Sequence, residues 1–132
     1  MDVKELALEA HEKNRGKLEI RSKMQVTNNE ELALAYTPGV AEPCKKIAEN
    51  PEDSYKYTSR GNLVAVISDG TAVLGLGDIG PSASMPVMEG KSILFKEFAD
   101  VDSFPLVINE TDPDKLVEII ASLEFSFGGI NL

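Results

Sequence analysis

Two side chains of this 132-residue sequence have the chemistry of an acid–base pair. Lys91 falls, on a wheel of about 100° per residue, between Val87, Leu94 and Phe98 on one side and Met88 and Phe95 on the other. Glu89, Lys96, Glu97 and Asp100 take the opposite arc. An ammonium set in an apolar stripe is poorly solvated, which lowers a lysine pKa toward the range where the neutral amine accepts protons. Gly90 beside it leaves room for close approach. The position also suits a lysine that snorkels from the edge of a core. Tyr36 closes an apolar run just before Thr37-Pro38-Gly39, a rigid turn that would hold its hydroxyl as a proton donor. A core tyrosine with a satisfied hydroxyl is the plainer alternative. Backbone N–H groups of Gly39, Val40 and Ala41, opening the next helix, are placed to receive a carboxylate.

Gly75-Leu76-Gly77-Asp78-Ile79-Gly80 matches G-x-G-x-x-G, and Asp100 lies twenty residues beyond the last glycine. A nucleotide loop of that kind leaves the first strand of a βαβ unit and runs straight into a helix. Here the preceding residues read as the return arm of a hairpin, and Pro81-Ser82 delay the helix, so a packed turn is favoured over a cofactor loop at Gly75, Gly77 and Gly80. His11 lies on a charged helix with no second histidine near it and reads as a surface residue. Asp100 and Asp102 are close, but a metal needs three or four converging ligands. Cys44 reads as a packed side chain with no histidine pattern to make it a nucleophile.

The elements that must position these groups are read from periodicity. Residues 2–15 form a short amphipathic helix stopped by Gly16. Leu18, Ile20, Met24 and Val26 recur at even positions, the mark of an extended arm, and the basic residues between Lys13 and Lys23 form a solvated face. Thr27 with Glu30 gives a capping box for a helix that ends near Tyr36, and a second helix runs from Val40 to Glu49. Residues 51–61 read as an irregular loop. Leu63–Ile67 is β-branched and nearly continuous, as in a strand buried on both faces. Asp69-Gly70 is a hairpin signal with 72–74 as the returning strand. A helix is expected over 84–99, then a strand at 104–108 that Pro105 limits to an edge or a first position, a helix from Thr111-Asp112-Pro113-Asp114, and a strand from 128. The fold class is α/β, with α+β as its variant: a single small mixed sheet over 62–74, 104–108 and 128–132 with helices packed on it, preceded by a helical and extended arm.

Composition bounds the function. Hydrophobic residues make up 42% and charged residues 27%, an ordinary globular balance. The net charge of -9 disfavours nucleic acid and anionic membrane surfaces as partners. No apolar run is long enough to span a bilayer, the start Asp2-Val3-Lys4-Glu5 is not a signal core, and the single cysteine allows no internal disulfide, so the expected location is cytoplasmic. The chain stops on Leu132 inside what reads as the start of a strand, and the natural protein is expected to continue.

Taken in order, Tyr36-Thr37-Pro38-Gly39-Val40-Ala41, Ser68-Asp69-Gly70, Gly75–Gly80 and Met88-Glu89-Gly90-Lys91 resemble the amino-terminal domain of malic enzymes. Tyr57-Thr58-Ser59-Arg60 and Phe127–Leu132 resemble the shorter bacterial and archaeal type. The resemblance implies oxidative decarboxylation of L-malate to pyruvate and carbon dioxide, with NAD or NADP as hydride acceptor and Mg²⁺ or Mn²⁺ required. It implies Lys91 as general base and Tyr36 as general acid. Larger malic enzymes carry a ligand-binding arginine two residues after the Asp-Gly, where this chain has Ala72; Arg60, Gly39 and Val40 are the substitutes offered for the substrate carboxylates. The resemblance puts the first metal ligands just after Leu132 and the nucleotide domain later still, so the chain is expected to hold the acid and base but neither metal nor cofactor, and to be inactive alone. Residues 1–26 are the expected homodimer contact and 27–132 the acid–base half. A stand-alone acidic dimerisation or interaction module without catalysis is the alternative.

Overall fold

The computed structural model describes residues 2–132. The order is α1 (Val3–Asn14), α2 (Asn29–Ala35), α3 (Ala41–Glu49), α4 (Ser54–Tyr57), β1 (Leu63–Ser68), α5 (Pro81–Ala99), β2 (Asp102–Val107), α6 (Pro113–Ala121) and β3 (Gly129–Asn131). Three 3₁₀ turns lie at Pro51–Asp53, Ser59–Asn62 and Glu124–Ser126. No helix among the described residues is long and apolar enough to cross a membrane.

β1 is the middle of the sheet, with the spatial order β2-β1-β3. Both partners run parallel to it: Ala65 faces Phe104 on one side and Ile130 on the other. The α/β class holds, but the sheet is parallel throughout rather than mixed. Parallel neighbours require crossovers, and α5 and α6 supply them. Leu63, Ala65 and Ile67 pack with Phe104, Leu106, Ile108, Ile120, Leu123 and Phe127 on the face that α6 covers. Val66 points the other way, and the buried stripe Ser84, Met88 and Ser92 of α5 lies on that second face. Pro105 stands in β2, an edge strand, where its missing N–H breaks no ladder.

The expected hairpin after β1 does not form. Asp69 instead closes a local turn, its carboxylate accepting from the Thr71 N–H at 3.0 Å and the Thr71 hydroxyl at 2.7 Å. The chain then folds a tight glycine turn, with a single bridge between Val73 and Gly77. The Ile79 and Gly80 amides both donate to the Gly70 carbonyl at 3.1 Å. Gly70 has φ +79°, and a Cβ there would lie 2.0 Å from the Gly80 carbonyl carbon. The two backbones therefore touch only because Gly70 lacks a side chain. α5 starts at once on Pro81 at its first position, three residues before the expected start.

The N-terminal half departs from expectation in smaller ways. Asn28, not Thr27, caps α2, and its partner is Glu31. The stretch 51–61 is not a loop but the short helix α4 flanked by two 3₁₀ turns. The arm at 17–26 forms no strand and bends at Lys17, Lys23 and Met24, and Ile20, Met24 and Val26 are exposed. It leaves α1 through Arg15 and Gly16, both at positive φ, and is pinned to α5. The Lys17 amide donates to Glu89 Oε1 at 2.8 Å and its ammonium to the Pro86 carbonyl at 3.0 Å. His11 is half-buried at this junction rather than on a bare surface, with Lys17 Nζ on its Nε2 and Nδ1 2.6 Å from the Ala7 carbonyl.

These approaches give opposite signs to two glycine substitutions. Gly70→Ala is expected to cost about 3 kcal/mol or more, from strain at positive φ plus the clash. Gly90, inside α5 with nothing within 4 Å of an added Cβ, is expected to gain about 0.5–1 kcal/mol as alanine. Urea unfolding followed by circular dichroism measures both; a Gly70→Ala chain as stable as its parent contradicts the packed turn.

Candidate active site

Lys91 sits midway along α5, half-buried, and no ion pair or hydrogen bond ties its ammonium among the described residues. The sheet takes Ser84, Met88 and Ser92, so Lys91 lies at the flank of the sheet-facing side, and its apolar stripe runs from buried Met88 out toward solvent. Its outer members are open: Leu94 is 54% and Phe98 84% exposed. The apolar surroundings read from the wheel are present on the helix, and their closure needs a further surface.

Tyr36 lies at the end of α2, 66% exposed, and is no core tyrosine. Its backbone fixes the turn: the amide donates to Leu32 at 2.8 Å and the carbonyl accepts from Val40 at 2.7 Å. The Thr37–Pro38 peptide is cis. Gly39 is required because a Cβ would lie 2.5 Å from the Ala33 carbonyl oxygen. The amides offered as a carboxylate receptor are already engaged: Gly39 donates to Ala33, Val40 to Tyr36 and Ala41 to Pro38. A carboxylate at that turn would have to compete with three internal bonds, which corrects the backbone role expected of Gly39 and Val40.

Arg60 is 8% exposed, deeper than a residue waiting for substrate. Nε donates to the Phe127 carbonyl at 3.0 Å and Nη1 to Ser54 Oγ at 2.8 Å. The guanidinium carbon stands 4.2 Å from the Tyr55 ring centroid and 5.5 Å from that of Phe125. Nε and Nη1 thus each spend a donor on the fold. That role was missed because nothing in Ser59-Arg60-Gly61 distinguishes a buried arginine from an exposed one. The one available signal was the pair of glycines, Gly61 and Gly128, whose added Cβ atoms would lie 2.3 Å from the Tyr55 and 2.5 Å from the Arg60 carbonyl oxygens.

Gly75, Gly77 and Gly80 belong to the packed turn after β1, separated from the end of that strand by the Asp69–Thr71 turn. The amides at Ile79 and Gly80 that a pyrophosphate would need are held by Gly70. Asp100 caps the far end of α5 and, with Asp102, holds the Lys96 ammonium at 2.7 and 3.0 Å. That exposed pair raises the Lys96 pKa and the lysine lowers that of Asp100, an arrangement of little weight for stability. No group of three or more His, Cys, Asp or Glu suited to a metal occurs among the described residues. Cys44 is exposed rather than packed.

The family described as malic enzyme, N-terminal domain, matches residues 15–122. The chain belongs to that family. It is 58% identical over its whole length to the bifunctional malic/malolactic enzyme of Bacillus subtilis, of which it covers 32%. It is 59% identical to the NADP-dependent malic enzyme of Haemophilus influenzae, over 98% of this chain and 17% of that one. The crystal structure of malic enzyme from Pyrococcus horikoshii superposes with a TM-score of 0.96 at 55% identity, over 99% of this chain and 31% of that one. This malic enzyme domain thus spans about a third or less of the relatives it matches.

The Thr71 hydroxyl, then its amide, holds the Asp69 carboxyl below its ordinary value of 3.8. The folded pKa lies under the unfolded one, so the charged form stabilises the turn above the unfolded pKa and that contribution is lost as pH falls through the folded one. A carbon-13 NMR titration is expected to place the Asp69 midpoint below 3.8 and to show it moving back up in Thr71→Ala. A midpoint unmoved by that substitution contradicts the assignment.

Proposed function

We propose that the protein containing this chain oxidatively decarboxylates L-malate to pyruvate and carbon dioxide, with Lys91 as general base and Tyr36 as general acid. The observation that carries the reading is the setting of Lys91. In a chain with twenty-two carboxylates, this lysine lies in an apolar stripe and pairs with none among the described residues. A base needs an amine that can lose its proton, and neighbouring carboxylates would hold the proton on.

The proton of the malate C2 hydroxyl passes to Lys91 Nζ while hydride leaves C2. When carbon dioxide departs, the electron pair of the broken C–C bond is left as an enolate with density at C3, and the Tyr36 hydroxyl, exposed at a rigid turn, delivers the proton there. NAD or NADP is the hydride acceptor in this reading, and Mg²⁺ or Mn²⁺ is the expected metal. In this reading the chain contributes the two proton transfers.

The substrate is a small dicarboxylate in the cytoplasm, and the protein is a homodimer in this reading. The exposed apolar residues Ile20, Met24 and Val26 on the arm support a self-contact there. Were the chain only a dimerisation module, mass would rise with concentration without any chemistry.

In the full-length protein, Lys91→Ala is expected to abolish malate oxidation and Tyr36→Phe to block enolpyruvate protonation, each by a factor on the order of 10²–10⁴. NAD(P)H absorbance and pyruvate formation read the two steps. Normal turnover in either variant removes that residue from the mechanism. The 132-residue chain alone is expected to form no NAD(P)H from malate.

A further inference from the structure

The two proposed catalytic residues belong to different parts of the chain. Tyr36 ends α2 and is tied by backbone bonds to the turn that opens α3, and α3, the Pro51–Asp53 turn and α4 pack on one another. Lys91 lies on α5, packed on β1 and β2. The 3₁₀ turn Ser59–Asn62 joins them, touching α4 on one side and β1 and the Glu124–Ser126 turn on the other. Arg60 is the buried side chain of that turn.

We propose that Arg60 is a positioning residue whose guanidinium fastens the helical part carrying Tyr36 to the sheet carrying Lys91. The proposal rests on the acid–base assignment above. Each contact of the guanidinium crosses the joint. Ser54 Oγ and the Tyr55 ring belong to α4, whereas the Phe127 carbonyl and the Phe125 ring belong to the segment between α6 and β3. The backbones close under it, with Gly61 against the Tyr55 carbonyl and Gly128 against the Arg60 carbonyl. No carboxylate pairs with this cation among the described residues, so its burial is compensated by two hydrogen bonds and two aromatic faces. A planar fork that donates in two directions while stacking is a geometry lysine cannot copy.

A direct role on substrate fits less well. A cleft of about 360 Å³ opens beside Arg60, but Glu124 lines it with Ile120 and Ile130. A carboxylate and two isoleucines are poor company for an anionic ligand. Misplacing one reacting group by about 1 Å costs on the order of a hundredfold in rate, so a joint distant from the reacting atoms has a kinetic readout.

The test uses the full-length enzyme carrying Arg60→Lys, Arg60→Ala and Ser54→Ala. The expected result for both Arg60 variants is a kcat for malate lower by about a hundredfold with KM changed far less, and recovery of part of kcat in Arg60→Ala by added ethylguanidinium. Hydrogen exchange is expected to speed up across α2–α4 while β1 and the centre of α5 keep their protection. Ser54→Ala, which removes one acceptor and leaves the cation stacked, is expected to lower kcat severalfold and covers the case in which an Arg60 variant does not fold. A raised KM with unchanged kcat would mean that Arg60 binds substrate, and overturns the proposal. So does parental kcat in Ser54→Ala or in the folded Arg60 variants. Should Tyr36→Phe turn over malate normally, the acid–base assignment has failed on its own; unchanged exchange in α2–α4 of Arg60→Ala would then still overturn the joint.

Discussion

The structure depends on β1 pairing in parallel on both sides. A strand so placed is buried on two faces, which is why Ala65, Val66 and Ile67 are apolar without alternation. Parallel partners cannot be joined by hairpins, so each neighbour costs a crossover, and the two crossovers are α5 and α6. Lys91 owes its position to this constraint. α5 presents Ser84, Met88 and Ser92 to the sheet, small or flexible side chains that let a helix lie close. Lys91 is left half-buried at the edge of that face.

The same constraint explains which parts of the fold were legible. β1 as a doubly buried strand, β2 as an edge strand with Pro105 and α6 from its cap-proline-acid start all rest on local chemistry that the tertiary fold also needs. The hairpin at Asp69-Gly70 does not form because a dipeptide that favours a turn leaves the course of the chain beyond it undetermined. Here the Asp side chain bonds Thr71, and Gly70 serves a contact with Gly80 ten residues on. The unbroken apolar run of β1 itself argues for parallel neighbours and against a returning strand. The G-x-G-x-x-G run has the same lesson in reverse: Gly75, Gly77 and Gly80 all sit at positive φ, so the glycines serve the shape of the turn, and the close backbone approach is made by Gly70.

The candidate site was legible in its residues and not in its assembly. Lys91 and Tyr36 stand out by position, one on an apolar stripe and one at a Pro-Gly turn. Arg60 does not, because its environment is built from Ser54, Tyr55, Phe125 and Phe127, separated by up to about seventy positions in sequence. Long-range contacts of this kind leave no spacing to read. Gly39 shows the opposite error: a helix start suggests free amides, yet a tight turn consumes them.

In the proposed reading the two proton-transfer residues are placed by different means. Lys91 has the apolar neighbours a neutral amine needs, but Leu94 and Phe98 stand open beside it. That exposed part of the stripe stays open to water until another surface covers α5. The position of the acid is set differently, by a turn of interlocked backbone bonds and a buried cation that ties its helices to the sheet. In the proposed reading the joint at Arg60 and the apolar stripe of α5 can be perturbed separately. A substitution in the joint moves the acid without changing the medium around the base, and one that bares or covers the α5 stripe changes the medium without moving the acid.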